Sequence, residues 1–183
     1  MTSDIKTLRK YAKLKKLPNI IHLGNIASET RHNLLELFKN TPESNYKTIA
    51  NRKGVYGVDH NETTPLSKTY NQHHLEVNNS LNLDCLEKFN NKFEYRFGKL
   101  DANAVIPAHL DDPNSYRFLV ILDGSCIFKS AKDQSQQVMS ESEVWFINSA
   151  YQHSIINKSK DRIALLGKFK INEHNTRILR TRT

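Results

Sequence analysis

His109-Leu110-Asp111 places an imidazole and a carboxylate two residues apart. On an extended strand, positions two apart share a face, so both side chains are presented to the same side. His153 stands 44 residues further on, after the apolar run Val144-Trp145-Phe146-Ile147. Two imidazoles and a carboxylate make a facial triad, a set that suits non-haem Fe(II) because three coordination positions stay open. The motif is short and recurs by chance, so its neighbours decide its weight. Arg162 follows His153 by nine positions, read as across a hairpin turn on the next strand. A guanidinium there can grip a carboxylate through two parallel hydrogen bonds; beside Asp161 it can equally be a surface charge. Arg117 opens the apolar run Phe118-Leu119-Val120-Ile121-Leu122. An arginine at the head of a core strand must find a partner or face a polar cavity.

These residues need a scaffold, and the chain changes character near residue 93. From there short apolar runs recur: Phe93 to Phe97, Ala104 to Ala108, Tyr116 to Leu122, Ser125 to Ser130, Gln137 to Met139, Val144 to Ile147, Ser154 to Ile156 and Ile163 to Ile171. Eight short strands with brief turns predict a β-sandwich or jelly-roll barrel. Asp123-Gly124 between two such runs predicts a hairpin, and residues 157–161 predict another tight connection. Before residue 93 the reading is mainly helical. Residues 4–16 form a basic amphipathic helix pattern, and Pro18 ends it or starts a turn. Ile20 to Gly24 reads as a strand, and Glu29 to Asn40 as a helix with Leu34, Leu35, Leu37 and Phe38 on one stripe. Residues 41–80 read as loops with short strands, and Leu81 to Asn91 as a further helical stretch. The expected organisation is one domain, with residues 1–92 packing on a barrel of residues 93–183.

At 183 residues and 38% hydrophobic content the chain fits one globular domain. No apolar run approaches the ~20 residues of a membrane helix. The start lacks the pattern of a secretory signal. Cys85 and Cys126 form no CxxC pair, which excludes a disulfide scaffold and a cysteine zinc site; a reducing, cytoplasmic setting is expected. The net charge of +8 sits at the ends. Residues 1–16 carry six basic residues against Asp4, and residues 158–183 carry eight against Asp161 and Glu173, leaving −3 between them. Such ends favour anionic partners, but no nucleic-acid-binding signature is present and nucleic acid is not expected as a partner.

Taken together, Ala104 to Asp111, Tyr116 to Asp123, Glu143 to Asn148, His153 to Asn157 and Arg162 resemble the Fe(II)- and 2-oxoglutarate-dependent oxygenases. The aspartyl/asparaginyl β-hydroxylase and cis-proline hydroxylase group is the most similar branch. The resemblance spans about Phe93 to Ile171. It implies a mainly β fold with N-terminal helices around a double-stranded β-helix, a cupin-like jelly roll. It implies His109, Asp111 and His153 as iron ligands and Arg162 as the partner of the far 2-oxoglutarate carboxylate. Arg117 matches a family arginine that contacts cosubstrate or substrate. The sequence departs from the family at Ala164, where a serine is common, and at Leu119, where the β-hydroxylase branch has histidine.

The implied activity is hydroxylation of an unactivated C–H bond in a free amino acid or an amino-acid residue of a peptide. Fe(II), 2-oxoglutarate and O2 are the implied cofactors, with ascorbate as reductant in vitro. Arg96, between Tyr95 and Phe97, is a candidate for the substrate carboxylate, or an outward charge on an alternating strand. Trp145 and Phe146 alternate, so one of them is core. His73-His74 reads as surface or substrate loop, Tyr151 and Gln152 as rim residues, and Asn157 as a turn cap. Two other classes stay open: a cupin-like metalloenzyme that does not use 2-oxoglutarate, and a non-catalytic barrel that binds an anionic partner. The oligomeric state is not encoded in any motif.

Overall fold

The computed structural model describes residues 16–40, 47–48, 73–77, 83–89, 94–110, 115–148, 150–157 and 160–182. The basic helix expected over residues 4–16, all but its last residue, lies outside them, as does Asp111. Strand β1 (Ile20–Asn25) is followed by helix α1 (Ser28–Lys39), then by the short strands β2 (Lys47–Thr48) and β3 (His73–Val77). The main series is β4 (Glu94–Leu100), β5 (Val105–His109), β6 (Ser115–Asp123), β7 (Cys126–Ser130), β8 (Gln136–Met139), β9 (Glu143–Ile147), β10 (His153–Asn157) and β11 (Arg162–Lys170). Helix α2 (Glu173–Arg180) follows.

A seven-stranded sheet in the order β1-β9-β6-β11-β4-β3-β2 faces a four-stranded sheet in the order β5-β10-β7-β8. Every pairing is antiparallel. From β4 onward the chain passes repeatedly between the sheets, which is a jelly roll. The four strands β4, β11, β6 and β9 face β5, β10, β7 and β8, and β1, β3 and β2 widen the larger sheet on both sides. The larger sheet therefore draws strands from the stretch before residue 93 as well as after it.

Strand β6 shows why its sequence is almost continuously apolar: both faces are covered. Leu119 and Ile121 point into the barrel, where they join Leu100, Ile106, Phe128, Trp145, Ile155 and Ala164. Phe118, Val120 and Leu122 point outward into a second core with Leu34, Leu86, Tyr95, Phe97, Phe146 and Leu179. Trp145 and Phe146 divide in the same way, so both are core, on opposite faces. The outer core is capped by α1 through Leu34 and by α2 through Leu179. Glu29 in the first turn of α1 and Lys39 in its last suit the helix dipole.

Several sequence expectations are corrected. Asp123-Gly124 joins no hairpin, because β6 belongs to the large sheet and β7 to the small one. Gly124 has φ +77°, and a Cβ there would lie 2.8 Å from the Asp161 carbonyl; the turn serves the crossing between sheets. Nor does a hairpin separate His153 from Arg162, since β10 and β11 also lie in different sheets. Of the stretch expected to be helical over 81–91, the described residues 83–89 form a 3-10 turn at Asp84–Leu86. His73-His74 lies on strand β3, paired with Lys99 and Gly98, rather than in a loop. Helix α2 went unread, although Asn172 caps it by accepting from the Asn175 amide at 2.8 Å.

Candidate functional site

The register places His109, the last residue of β5, directly opposite His153, the first residue of β10. Their rings lie 4.5 Å apart between centroids, tilted by 54°. His153 is 2% exposed and stacks on Phe128 at 5.1 Å. Its Nδ1 lies 3.0 Å from the Tyr151 carbonyl oxygen. A carbonyl only accepts, so Nδ1 carries the proton; in the neutral ring that leaves the lone pair on Nε2, the tautomer a metal-binding histidine needs. Tyr151 is itself fixed: Lys132 Nζ donates to its hydroxyl at 3.0 Å and sits over its ring. Two of the three proposed ligands are thus brought together at one end of the barrel. Among the described residues no group of three metal-ligating side chains forms, and Asp111 lies outside them.

Arg162 opens β11 at the other end of the barrel. It is 1% exposed, among the largest fully buried side chains. Its Nη1 donates to the Cys126 Sγ at 3.5 Å, and its Nε is buried without an acceptor. The acids nearest in sequence and register are committed elsewhere. Asp161 pairs with Lys99 Nζ at 2.8 Å and accepts from the Ala102 amide, and the Lys99 hydrogen bond holds its carboxyl below the usual range. Asp123 pairs with Lys160 at 2.8 Å; burial opposes ionisation of its carboxyl, but the hydrogen bonds from Lys160 and its neighbours outweigh this and lower its pKa. The charge on Arg162 therefore has no carboxylate partner among the described residues. A buried guanidinium left in that state is costly.

Arg117 is 9% exposed and alternates with Leu119 and Ile121, so it faces the barrel interior. It pairs in register with Ile147 and Lys168. Arg96 shares the inward face of β4 with Leu100 and sits opposite Leu166. Half-buried Lys168 shares the inward face of β11 with Ala164 and Leu166. It brings a third cation to the histidine end of the large sheet, one that sequence reasoning missed. The period-2 spacing from Arg162 was its only signal.

The rim beside His153 is held by buried amides, also missed. Asn148 donates to the carbonyls of Leu17 and Pro18 at 3.3 and 3.0 Å. Asn19 donates to Ser130 Oγ at 2.5 Å, and Ser130 is a register partner of His153. At the opposite end Asn157 does more than cap its turn: its Nδ2 donates to the carbonyls of Leu100, Asp101 and Lys160.

This arrangement defines a jelly-roll protein of the double-stranded β-helix type. No family model matches the chain, and no curated protein matches it in sequence. Solved structures resemble the chain to different degrees. A Pseudomonas putida prolyl-4-hydroxylase is 10% identical at a TM-score of 0.57, covering 90% of this chain and 98% of its own. A 2OG-Fe(II) oxygenase-family oxidoreductase from Burkholderia pseudomallei is 11% identical at 0.54, covering 90% and 89%. An RmlC-like cupin protein from Desulfovibrio desulfuricans is 11% identical at 0.41, covering 66% and 95%. Among the described residues no helix is long and apolar enough to cross a membrane.

Proposed function

We propose that this protein is an Fe(II)- and 2-oxoglutarate-dependent dioxygenase that hydroxylates an unactivated C–H bond of a free amino acid or an amino-acid residue in a peptide. The observation that carries the reading is Arg162: a buried guanidinium with no carboxylate partner among the described residues, in a barrel whose other end holds the paired imidazoles of His109 and His153. A dicarboxylate spanning the two ends satisfies both. The fold shared with the prolyl-4-hydroxylase supports the same reading.

The residues present fit the implied groups. His109 and His153 would hold the metal, with Asp111 as third ligand, and the Tyr151 carbonyl keeps His153 in the ligating tautomer. Arg162 binds the far carboxylate of the cosubstrate. Arg117 and Arg96 orient the substrate carboxylate at the histidine end. Leu119, Ile121, Phe128 and Ile155 line the interior between them and exclude water, which strengthens each charged contact. Bound iron supplies oxygen activation coupled to conversion of 2-oxoglutarate and O2 to succinate and carbon dioxide.

The test is succinate formation by purified protein with Fe(II) and ascorbate against a panel of free amino acids and short peptides. Succinate that rises with one compound supports the reading and names the substrate. No succinate from protein shown to bind iron defeats it and favours a cupin-like metalloenzyme.

A further inference from the structure

Cys126 opens β7 in the small sheet, Arg162 opens β11 in the large one, and their contact crosses the interior. Cys126 is 1% exposed. Where an arginine is buried this deeply, a carboxylate is the usual companion, because two opposite charges offset each other's desolvation. Here the companion is a cysteine sulfur, a weak acceptor. A thiol can fix one nitrogen of the guanidinium without cancelling its charge. The contact uses Nη1, and the Nε of the same planar fork stays buried without an acceptor.

We infer that Cys126 is a positioning residue for the anion site at the base of the barrel: its thiol aims the Arg162 guanidinium while leaving the positive charge whole for a bound carboxylate. This rests on the reading of Arg162 as the seat of the far carboxylate of 2-oxoglutarate. The nearby Asp161 and Asp123 are tied to Lys99 and Lys160 and do not neutralise Arg162. The positioning role of Cys126 makes a prediction opposite to that of simple packing. A carboxylate at position 126 would neutralise Arg162, so the folded state would hold while the site lost its ligand.

The test is calorimetric titration of 2-oxoglutarate into protein loaded with Mn(II), for the wild type and for Cys126→Ser, Cys126→Ala and Cys126→Asp. Serine keeps a neutral acceptor and should bind within about 3-fold of the wild type. Alanine removes the contact and should weaken binding about 10-fold, while aspartate should weaken it about 100-fold or more, a tenfold step being about 1.4 kcal/mol. In turnover the change should fall on the KM for 2-oxoglutarate and leave the KM for the substrate unmoved. Cys126→Asp should melt no lower than Cys126→Ala. Wild-type affinity in Cys126→Asp, or in Cys126→Ala should the aspartate variant not fold, overturns this inference alone. A wild-type protein that binds no 2-oxoglutarate overturns the oxygenase reading and this inference together.

Discussion

The two faces of the large sheet bury different things. The outer face, under α1 and α2, holds Phe118, Val120, Leu122, Phe146, Leu165 and Phe169 against apolar helix residues. The inner face carries comparable aliphatic residues but also Arg162, Arg117, Arg96 and Lys168, with His153 and Cys126 across from them. The same strands supply both faces, so strand propensity does not separate them. The outer face is closed by the chain's own helices and needs nothing more. The inner face keeps charges that the described residues leave uncompensated at Arg162. A buried charge without a carboxylate partner is what sets the inner face apart from the outer core, because burying a charge unpaired is costly.

The comparison would break most clearly at His153. His153→Ala should reduce turnover to background and weaken metal binding by at least about 100-fold, with the fold retained; a metal titration followed by a melt checks both. On the outer face, Phe118→Ala should cost about 3–5 kcal/mol of stability and leave 2-oxoglutarate affinity per folded molecule unchanged. Phe118 is completely packed: its register partner is Gly167, where a Cβ would lie 1.9 Å from the ring. Urea unfolding together with a binding titration gives the two numbers. Arg162→Met should do the reverse, weakening 2-oxoglutarate binding about 100-fold while stability holds or rises, because an uncompensated buried charge is removed. A stability loss like that of Phe118→Ala would show Arg162 to be structural.

The smallest effect is a pH effect on the outer face. Burial pushes the Tyr95 hydroxyl up to about 12, with a lesser push from Cys85. Its unfolded value lies near 10, so the neutral form favours folding. That contribution is whole below pH 10 and is lost as the pH rises from about 10 to 12. Tyr95→Phe should flatten part of the alkaline fall in the urea midpoint. Part should remain, because burial also raises Tyr116.

Much of the barrel was legible because its strands obey local rules. Runs such as Val144 to Ile147 and Ile163 to Ile171 have strand length, β-branched and aromatic content and turn residues at their ends. His109, His153 and Arg162 stood out because their types and spacing carry chemistry. Cys126 and Lys168 did not, since a thiol in a strand reads as a small hydrophobe and a lysine near a strand end as a solvated charge. Asn19, Asn148 and Ser130 were equally silent, because their partners lie more than 100 residues away.

The sequence by itself determined the strand series of the barrel, the apolar run of β6, the helix at α1 and which residue types have the chemistry to bind a metal or an anion. Those depend on side-chain period and on chemistry within a few residues. Only the tertiary structure decided which strands are partners. It turned the expected Asp123-Gly124 hairpin into a crossing between sheets, set His109 opposite His153, and placed β1 and β3 in the barrel's larger sheet. It also decided that Arg162 is buried beside a thiol rather than exposed beside Asp161. Register and burial arise from contacts between residues distant in the chain, and no local pattern records which of two faces will be closed by helices.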